Sequence, residues 1–225
     1  MAPRTVSSSA GIGPMLRLPA RSVICAEHLP DIDWKNGAGR TREIAVLPAG
    51  PDASDFWWRI SVAEIVGNAP FSTFTGIDRT FLVASPGTLH MKIGGSEREA
   101  GFGQPLAFPG EAEVSVEALT GPTRNINLMT RRGLCEGSID VQHQDGPPTI
   151  GAPPAVAVVL LDGEAWTSDG GRLGPLEFLV LGAGPERLVF RQAVVATVNV
   201  RARPSQAAAG QPASRRATPW SVPKR

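Results

Sequence analysis

The stretch FWWRISVAEIV, residues 56–66, decides the fold because its side chains alternate as those of a β-strand do. One predicted face consists of Phe56, Trp58, Ile60, Val62 and Glu64, and the other consists of Trp57, Arg59, Ser61, Ala63 and Ile65. The first face is mostly apolar and predicts a core. The second face mixes an arginine and a serine with apolar residues. A strand that lines a partly polar cavity would have this mixture, and a solvent-facing side explains it almost as well.

Short strand-like segments separated by turns continue on both sides of this stretch. The 225 residues include 25 glycines and 21 prolines, which interrupt the chain at short intervals. Later segments such as AVAVVLL, residues 155–161, are rich in valine and leucine and predict buried strands. No segment has the period of an amphipathic helix. The sequence therefore predicts an all-β protein, a sandwich or a barrel.

Composition shifts divide the chain into four parts. Residues 1–14 and 204–225 are rich in small residues and proline, so we expect a disordered leader and a disordered tail there. The turn-rich segment 135–153 separates two groups of strands. We therefore expect two related β units, the first over residues 15–134 and the shorter second over residues 135–203.

The charge balance gives no drive toward polyanions. Lys and Arg total 22, and Asp and Glu total 21, so neither nucleic acid nor an anionic membrane is expected as a partner. No apolar run reaches the length of a membrane helix, and the N-terminus lacks the apolar region of a secretory signal. The two cysteines make no disulfide framework, which favours reduced thiols and a cytoplasmic location.

Motifs for catalysis and metal binding are missing from the sequence. The three histidines, His28, His90 and His143, stand alone in their segments, whereas a mononuclear site needs three or four converging ligands. No G-x-S-x-G motif occurs, and the chain has no tyrosine. We therefore expect no bound metal, no cofactor and no assignable catalytic residue.

Two polar groups remain as candidates for a binding site. DIDWKNGAGRTREIAV, residues 31–46, contains Lys35, Asn36, Arg42 and Glu43, and a second group combines Arg59 and Ser61 with Asp78 and Arg79. Arginine presents a fork of donors that suits carboxylates, but spacing alone favours ion pairs that hold loops to a barrel rim. Strand alternation places Arg42 and Glu43 on opposite faces, so at most one of them can point at a ligand. The aromatic residues Trp34, Trp57, Trp58, Phe71 and Phe74 belong either to the core or to the wall of a pocket.

Five segments in fixed order resemble the HutD/Ves family. They are WKNGAGRTREIAV (34–46), FWWRISVAEI (56–65), GNAPFSTFTGIDRTFLV (67–83), PLAFPG (105–110) and RNINLMTRRG (124–133). The family's usual forms are close to W-K-N-G-G-G-x-T-x-E-I, F-x-W-R-x-S-x-A, G-P-F-S-x-F-x-G-x-D-R and D-x-N-x-M-x-R-R. The sequence departs from these forms at Ala38, where glycine is common, and at Asn125, where aspartate is common. Ala38 would restrict the turn if a positive φ were needed there.

The resemblance implies a bicupin made of two jelly-roll β-barrel halves, without the metal-binding histidines of most cupins. It also implies a bacterial cytoplasmic protein that binds a small molecule and acts as an accessory or regulator in histidine utilisation or stress response. Its ligand would be a small carboxylic acid, and a homodimer is a possible assembly. The expected ligand-binding residues are Lys35, Asn36, Arg42, Glu43, Arg59, Ser61 and Asn127. The alternative is an isomerase or hydrolase that acts on a small acid, with Glu43 as base and Lys35 as acid.

Overall fold

The computed structural model describes residues 21–34, 36–48, 55–118, 120–147, 149–150, 154–182 and 185–203. The expected leader (1–14) and tail (204–225) lie outside the described residues. Within these ranges the chain forms seventeen strands, numbered in chain order, and one short 3-10 helix, Ala26–His28. The prediction of an all-β protein is confirmed. No helix of the described part of the chain is long and apolar enough to cross a membrane.

Two antiparallel sheets form the first β unit. The larger sheet has the strand order β2 (Ile32–Asp33), β3 (Gly39–Pro48), β4 (Phe56–Ile65), β11 (Thr123–Arg131), β6 (Ile77–Val83), β9 (Pro105–Pro109). The smaller sheet has the order β5 (Ala69–Pro70), β10 (Val114–Ala118), β7 (Thr88–Ile93), β8 (Ser96–Gly101). Apolar residues of both sheets, among them Phe81, Leu89 and Met91, form one core between them. The two sheets therefore enclose a barrel with its own interior.

A third antiparallel sheet forms the second β unit. Its main path is β1 (Ser22–Cys25), β16 (Glu177–Val180), β14 (Ala155–Thr167), β17 (Glu186–Ala202), β12 (Cys135–Gly146). Two short strands complete it, since β13 (Thr149–Ile150) pairs with β17 and β15 (Arg172–Leu173) pairs with β14. Register shifts along β14 and β17 bend these long strands. Alternate residues of the ladder enter two cores, with Val159 and Val198 in one and Val158 and Val195 in the other, because successive side chains of a strand point to opposite faces.

Strand β4 is buried on both faces, which explains its unusual composition. Trp58, Ile60 and Val62 point away from the first barrel and pack in a core that includes Val159 of β14 and Val198 of β17. The opposite face of β4 points into the first barrel. The apolar face thus joins the two β units, and the mixed face belongs to an interior rather than to solvent.

The N-terminal strand joins the second unit, although the sequence suggested that it belongs to the first. Ser22–Cys25 pairs antiparallel with Glu177–Val180, with Val23 opposite Leu179. The short strand covers an edge of the seven-stranded sheet that would otherwise expose unpaired backbone groups. The sequence could not reveal this pairing because nothing in the four residues SVIC specifies a partner more than a hundred residues away.

Candidate functional site

The first barrel contains a cavity of about 530 Å³, bordered by the larger sheet and the loop that follows β5. Volumes of roughly 300–1,000 Å³ are typical of small-molecule sites. Exposed Ile32, Asp33 and Asn36 lie at its mouth. Aromatic rings of Trp34, Phe71, Phe74 and Phe81 form much of its wall, and Arg59, Ser61, Arg79 and Asn127 supply polar groups from the sheet. An apolar wall with a few placed polar groups is the usual character of a ligand pocket.

The turn of the WKNGAG segment holds one aromatic wall in place. The backbone N–H of Gly37 donates to the carbonyl of Trp34 at 2.9 Å, and the N–H of Trp34 donates to the carbonyl of Gly39 at 2.9 Å. The indole Nε1 of Trp34 donates to Oγ1 of Thr41 at 2.8 Å, which fixes the ring against the cavity. The positive φ of this turn, 70°, falls on Gly37 and not on Ala38. Ala38 therefore does not restrict the turn.

Gly39 allows the close packing behind Trp34. A Cβ at this position would lie 2.4 Å from the carbonyl oxygen of Glu64 and 3.2 Å from the indole ring. Both distances are shorter than normal contacts, so only glycine lets β3 approach β4 here while Trp34 covers it.

Arg59 and Ser61 extend from β4 into the cavity, as their shared strand face predicts. Ser61 is buried, with 2% of its surface exposed. Arg59 is partly exposed, and its Nε donates to Oε2 of Glu43 at 2.8 Å. The charge of Arg59 is therefore already paired within the protein.

Arg79 is the most deeply buried charge at the cavity. Only 6% of its surface is exposed, and no carboxylate of the described residues lies within salt-bridge distance of it. Its Nε lies 3.4 Å from Oδ1 of Asn127, and its Nη1 lies 3.4 Å from the carbonyl oxygen of Ser72, so both hydrogen bonds are long. Burial, with a smaller contribution from the positive charge of Arg59, lowers the pKa of Arg79 to about 10. The guanidinium is thus charged at neutral pH and lacks a counter-ion in the described structure.

Aromatic rings partly compensate for the burial of Arg79. Its Cζ atom lies 5.0 Å from the ring centroid of Phe71, 5.7 Å from that of Phe74 and 5.2 Å from that of Phe108. Ring faces attract a cation, but each such contact contributes only about 0.5–2 kcal/mol. An anion in the cavity would stabilise this buried cation far more effectively than the rings do.

Two of the expected site residues do not line the cavity. Arg42 faces away from it and pairs with Asp31, whose Oδ1 lies 2.7 Å from Nε of Arg42. Glu43 lies on the face of Ser61 but remains exposed and pairs with Arg59. Alternation correctly separated the two residues, but local ion pairs occupy both of them. The alternative enzyme needed Glu43 as a general base inside the cavity, and the structure does not provide that arrangement.

The other expected residues are placed as follows. Asn36, Arg59, Ser61 and Asn127 border the cavity, and Lys35 lies outside the described residues. Asn36 also stabilises its own turn, since its Oδ1 accepts from the N–H of Ala38 at 3.1 Å. The side chain thus has a structural role in addition to its position at the mouth.

Arg79 is the main residue that the expected set omitted. The segment GIDRTFLV alternates, which places Arg79 and Phe81 on one face and Asp78 on the other. Asp78 pairs outward with Arg132 at 2.7 Å, whereas Arg79 and Phe81 border the cavity. Alternation therefore separated Arg79 from Asp78, but the sequence did not show which of the two faces points into the barrel.

Metal ligands do not gather at this site. Among the residues that the structure describes, no three His, Cys, Asp or Glu side chains form a group that could hold a metal ion. His90 lies outside the cavity lining, with its Nε2 3.9 Å from Oε2 of Glu97. Apart from Asp33 at the mouth, the polar side chains of the cavity carry guanidinium, amide and hydroxyl groups, which bind anions and hydrogen-bonding ligands.

Fold and cavity together define a cupin-type protein with a ligand-sized pocket in its first barrel. A cupin barrel protein from Leptotrichia buccalis matches 83% of this chain and 100% of its own, with a TM-score of 0.53 at 16% identity, which shows the fold alone. HutD from Pseudomonas fluorescens SBW25 matches 82% of this chain and 100% of its own, with a TM-score of 0.68 at 27% identity. The sequence model of the HutD family matches residues 26–198, and the chain belongs to this family.

A relative in sequence is Protein Ves from Citrobacter koseri. It is 36% identical over 110 residues, which are 48% of this chain and 56% of that protein. The chain thus spans about half the length of the curated relatives it matches. The resemblance to the HutD/Ves family is confirmed, and the family match extends well past residue 133, where the motifs end.

Proposed function

We propose that the protein binds a small carboxylic acid in the cavity of its first barrel, without a metal ion. The observation that carries this proposal is the buried, charged guanidinium of Arg79, which has no carboxylate partner among the described residues. An isolated buried charge is costly, and a ligand carboxylate would supply the missing counter-ion. Arginine forms bidentate, charge-assisted hydrogen bonds with carboxylates, which favours this ligand class over neutral molecules.

Neighbouring polar groups support the same ligand class. Asn127 is buried on the strand next to that of Arg79, and Ser61 is buried opposite Asn127 on the strand beyond it. Each can donate a hydrogen bond to a carboxylate oxygen. The sequence-based expectation included Arg59 as a partner of the ligand carboxylate. We now assign that role to Arg79 because Arg59 already pairs with Glu43. Asn36 at the mouth would contact the outer end of a bound molecule.

The family suggests a biological setting for this binding. We propose an accessory or regulatory role in histidine utilisation or in stress response, in which the protein senses a small acid. The membership of the chain in the HutD family supports the first of these settings. The expected homodimer stays a prediction, which size-exclusion chromatography with light scattering tests.

A ligand screen by thermal unfolding tests the proposal. A molecule that binds only the folded state raises the unfolding temperature by mass action, and a concentration of about 100 times Kd adds about 2.7 kcal/mol. Histidine, urocanate, formylglutamate and glutamate form the first panel, with the fully amidated forms of the same acids as controls that lack carboxylate charge. At least one acid should raise the unfolding temperature while its amide does not.

Two arginine variants show where an acid that raises the unfolding temperature binds. Arg79→Met replaces the guanidinium with an unbranched apolar side chain. The loss of the charge should abolish the rise in unfolding temperature. Arg98→Met is the matched control, because Arg98 is exposed on β8 and does not border the cavity. It should retain the full shift. Equal binding by wild type and Arg79→Met would exclude the proposed site.

A further inference from the structure

We propose that residues 30–34 form a gate at the mouth of the cavity, and that Asp31 holds this gate closed through its ion pair with Arg42. The inference rests on the proposed function, because the gate controls access to the same cavity, but its test needs no bound acid. Its starting point is the burial of the cavity's polar groups, since Arg79 and Ser61 have only 6% and 2% of their surfaces exposed. An acid molecule therefore reaches them only when part of the wall moves, as lids and loops do at many buried sites.

The gate segment, residues 30–34, has different roles on its two faces. Ile32 and Trp34 alternate with Asp31 along the chain, and both of them border the cavity. Asp31 instead lies beside Arg42, which faces away from the cavity, and its Oδ1 is 2.7 Å from Nε of Arg42. Its Oδ2 is 3.4 Å from Nη1 of Arg40. The segment thus carries part of the cavity wall on one face and the ion pairs that hold it in place on the other.

Backbone hydrogen bonds attach the gate segment at few points. Only two residues of β2 pair with β3, and no strand of the described structure pairs with the other edge of β2. The N–H of Trp34 adds one further bond, to the carbonyl of Gly39 at 2.9 Å. Each of the residues 30–33 is exposed. A short, exposed edge strand opens at a lower free energy than a strand inside a sheet.

The opposite side of the mouth is held more firmly. In the loop that follows β5, the N–H of Phe71 donates to the carbonyl of Val114 at 2.8 Å, and the N–H of Phe74 donates to that of Gly110 at 2.8 Å. The rings of both phenylalanines also pack on the buried guanidinium of Arg79. We therefore assign the opening movement to the gate segment and not to this loop.

The pair of Asp31 with Arg42 is more strongly coupled than an exposed surface pair. The side chain of Arg42 is only 13% exposed and that of Asp31 is 33% exposed, so water screens their charges incompletely. Among the described residues, Asp31 is the only carboxylate within salt-bridge distance of Arg42. Opening the gate would leave the guanidinium of Arg42 unpaired while most of it stays buried, which favours the closed state.

Thiol labelling of the ligand-free protein tests the gate. In a Cys25→Ala background, Ser61→Cys places a thiol at the cavity, and Cys135 is buried. The rate at which iodoacetamide, a small neutral reagent, alkylates the introduced thiol measures how often the mouth opens. Asp31→Asn should raise this rate at least about fivefold, and hydrogen exchange of the amides in residues 30–34 should accelerate by a similar factor.

Two further variants complete the experiment. Asp55→Asn is the matched control, because Asp55 also pairs with an arginine at 2.7 Å, Arg131, but lies outside both the gate segment and the cavity lining. It should leave both rates unchanged. Arg42→Met removes the buried charge together with its need for a partner, so it should fold even if Asp31→Asn does not, and it should accelerate labelling in the same way.

Equal labelling rates in the gate variants and in Asp55→Asn would overturn the inference. Faster labelling without faster exchange in residues 30–34 would overturn it as well, because the wall would then open elsewhere. Neither result depends on an acid, so both leave the proposed function to the unfolding screen. Conversely, a protein that binds no acid in that screen but shows faster labelling in the gate variants would have the gate without the proposed function.

Discussion

Nε of Arg79 lies 3.4 Å from Oδ1 of Asn127, on the adjacent strand of the sheet, and both side chains are buried. A neutral amide oxygen at this distance is a weak partner for a buried guanidinium. A carboxylate in the same place would instead be a counter-ion. Replacing the amide of Asn127 with a carboxylate would therefore change the net charge of the cavity.

Asn127→Asp should make the protein more stable and a poorer binder of acids. The new carboxylate would pair with Arg79 and occupy the charge that the ligand needs. We expect the free energy of unfolding of the ligand-free protein to rise by roughly 1 kcal/mol and the affinity for carboxylates to fall at least about tenfold. Urea denaturation and calorimetry measure the two effects. A variant that binds acids as tightly as the wild type would contradict the role of Arg79.

The same substitution two residues earlier should have the opposite effect on stability. Nδ2 of Asn125 donates to Oγ1 of Thr123 at 2.9 Å and to its carbonyl at 3.1 Å, and lies 3.4 Å from the carbonyl of Ala63. Asn125→Asp would place acceptor oxygens against these carbonyls. We expect a loss of about 2–4 kcal/mol at neutral pH. Stability should recover as the pH falls, because a protonated carboxyl can donate again. Unfolding midpoints of Asn125→Asp and Asn127→Asp, measured from neutral to acidic pH, give the comparison.

Carboxylate binding should weaken at alkaline pH. Burial lowers the pKa of Arg79 to about 10, so the free protein loses this positive charge as the pH rises through that value. Above it, the affinity should fall by up to about tenfold per pH unit. The ligand-free fold should not lose stability from this group, because the unfolded chain binds more protons there and stability then rises with pH. Titrations with a fully ionised acid from neutral to alkaline pH test this, and an affinity that stays constant over that range would contradict the role of Arg79.

Gly39→Ala should destabilise the protein and disturb the wall of the cavity. The added Cβ would lie 2.4 Å from the carbonyl oxygen of Glu64, so β3 or Trp34 must move. We expect a loss of about 1–3 kcal/mol and weaker binding of acids. Gly67→Ala is the control, because a Cβ there meets no atom within 4 Å, and its effect should stay within about 0.5 kcal/mol. Equal unfolding midpoints for the two variants would contradict this account.

Glu111 should give the fold an acid-sensitive contact. Its carboxylate accepts from Arg132 at 3.0 Å and from the N–H of Gly76 at 2.6 Å, and the bond from Arg132 is the main reason that its pKa falls to about 2. Stabilisation from this group is complete above the ordinary value of 4.5 and is lost as the pH falls toward 2. The difference in urea midpoint between wild type and Glu111→Gln should shrink over that interval. A difference that stays constant with pH would exclude this contribution.

Much of the fold could be predicted from short-range patterns. Alternation in residues 56–66 gave a strand with an apolar face and a mixed face, and the structure buries both. The pattern could not distinguish a cavity from solvent, since that depends on the loop after β5 and on β6, which pack beside it. The five motifs correctly indicated the family because their order and spacing together are more specific than any single motif.

The site was harder to predict because charge pairing acts across strands. Arg42 and Glu43 have the chemistry of ligand-binding residues, but Asp31 and Arg59 pair with them. These partners are close only after β2, β3 and β4 align. Arg79 was noticed as one member of a polar group, and its burial among three phenylalanine rings follows from strand pairing over long sequence distances.

The path of the chain also links the unfolding of the two β units. The third sheet, which forms the second β unit, contains both β1, at Ser22–Cys25, and β17, at Glu186–Ala202, with the first barrel between them in sequence. The core around Trp58 then joins the barrel to that sheet. Heat should therefore melt the protein in one cooperative transition rather than two, and calorimetric and van't Hoff enthalpies should agree. A fragment that ends at residue 134 would contain β1 without β16, its only strand partner in the described structure, and so could not reproduce the barrel's native surroundings.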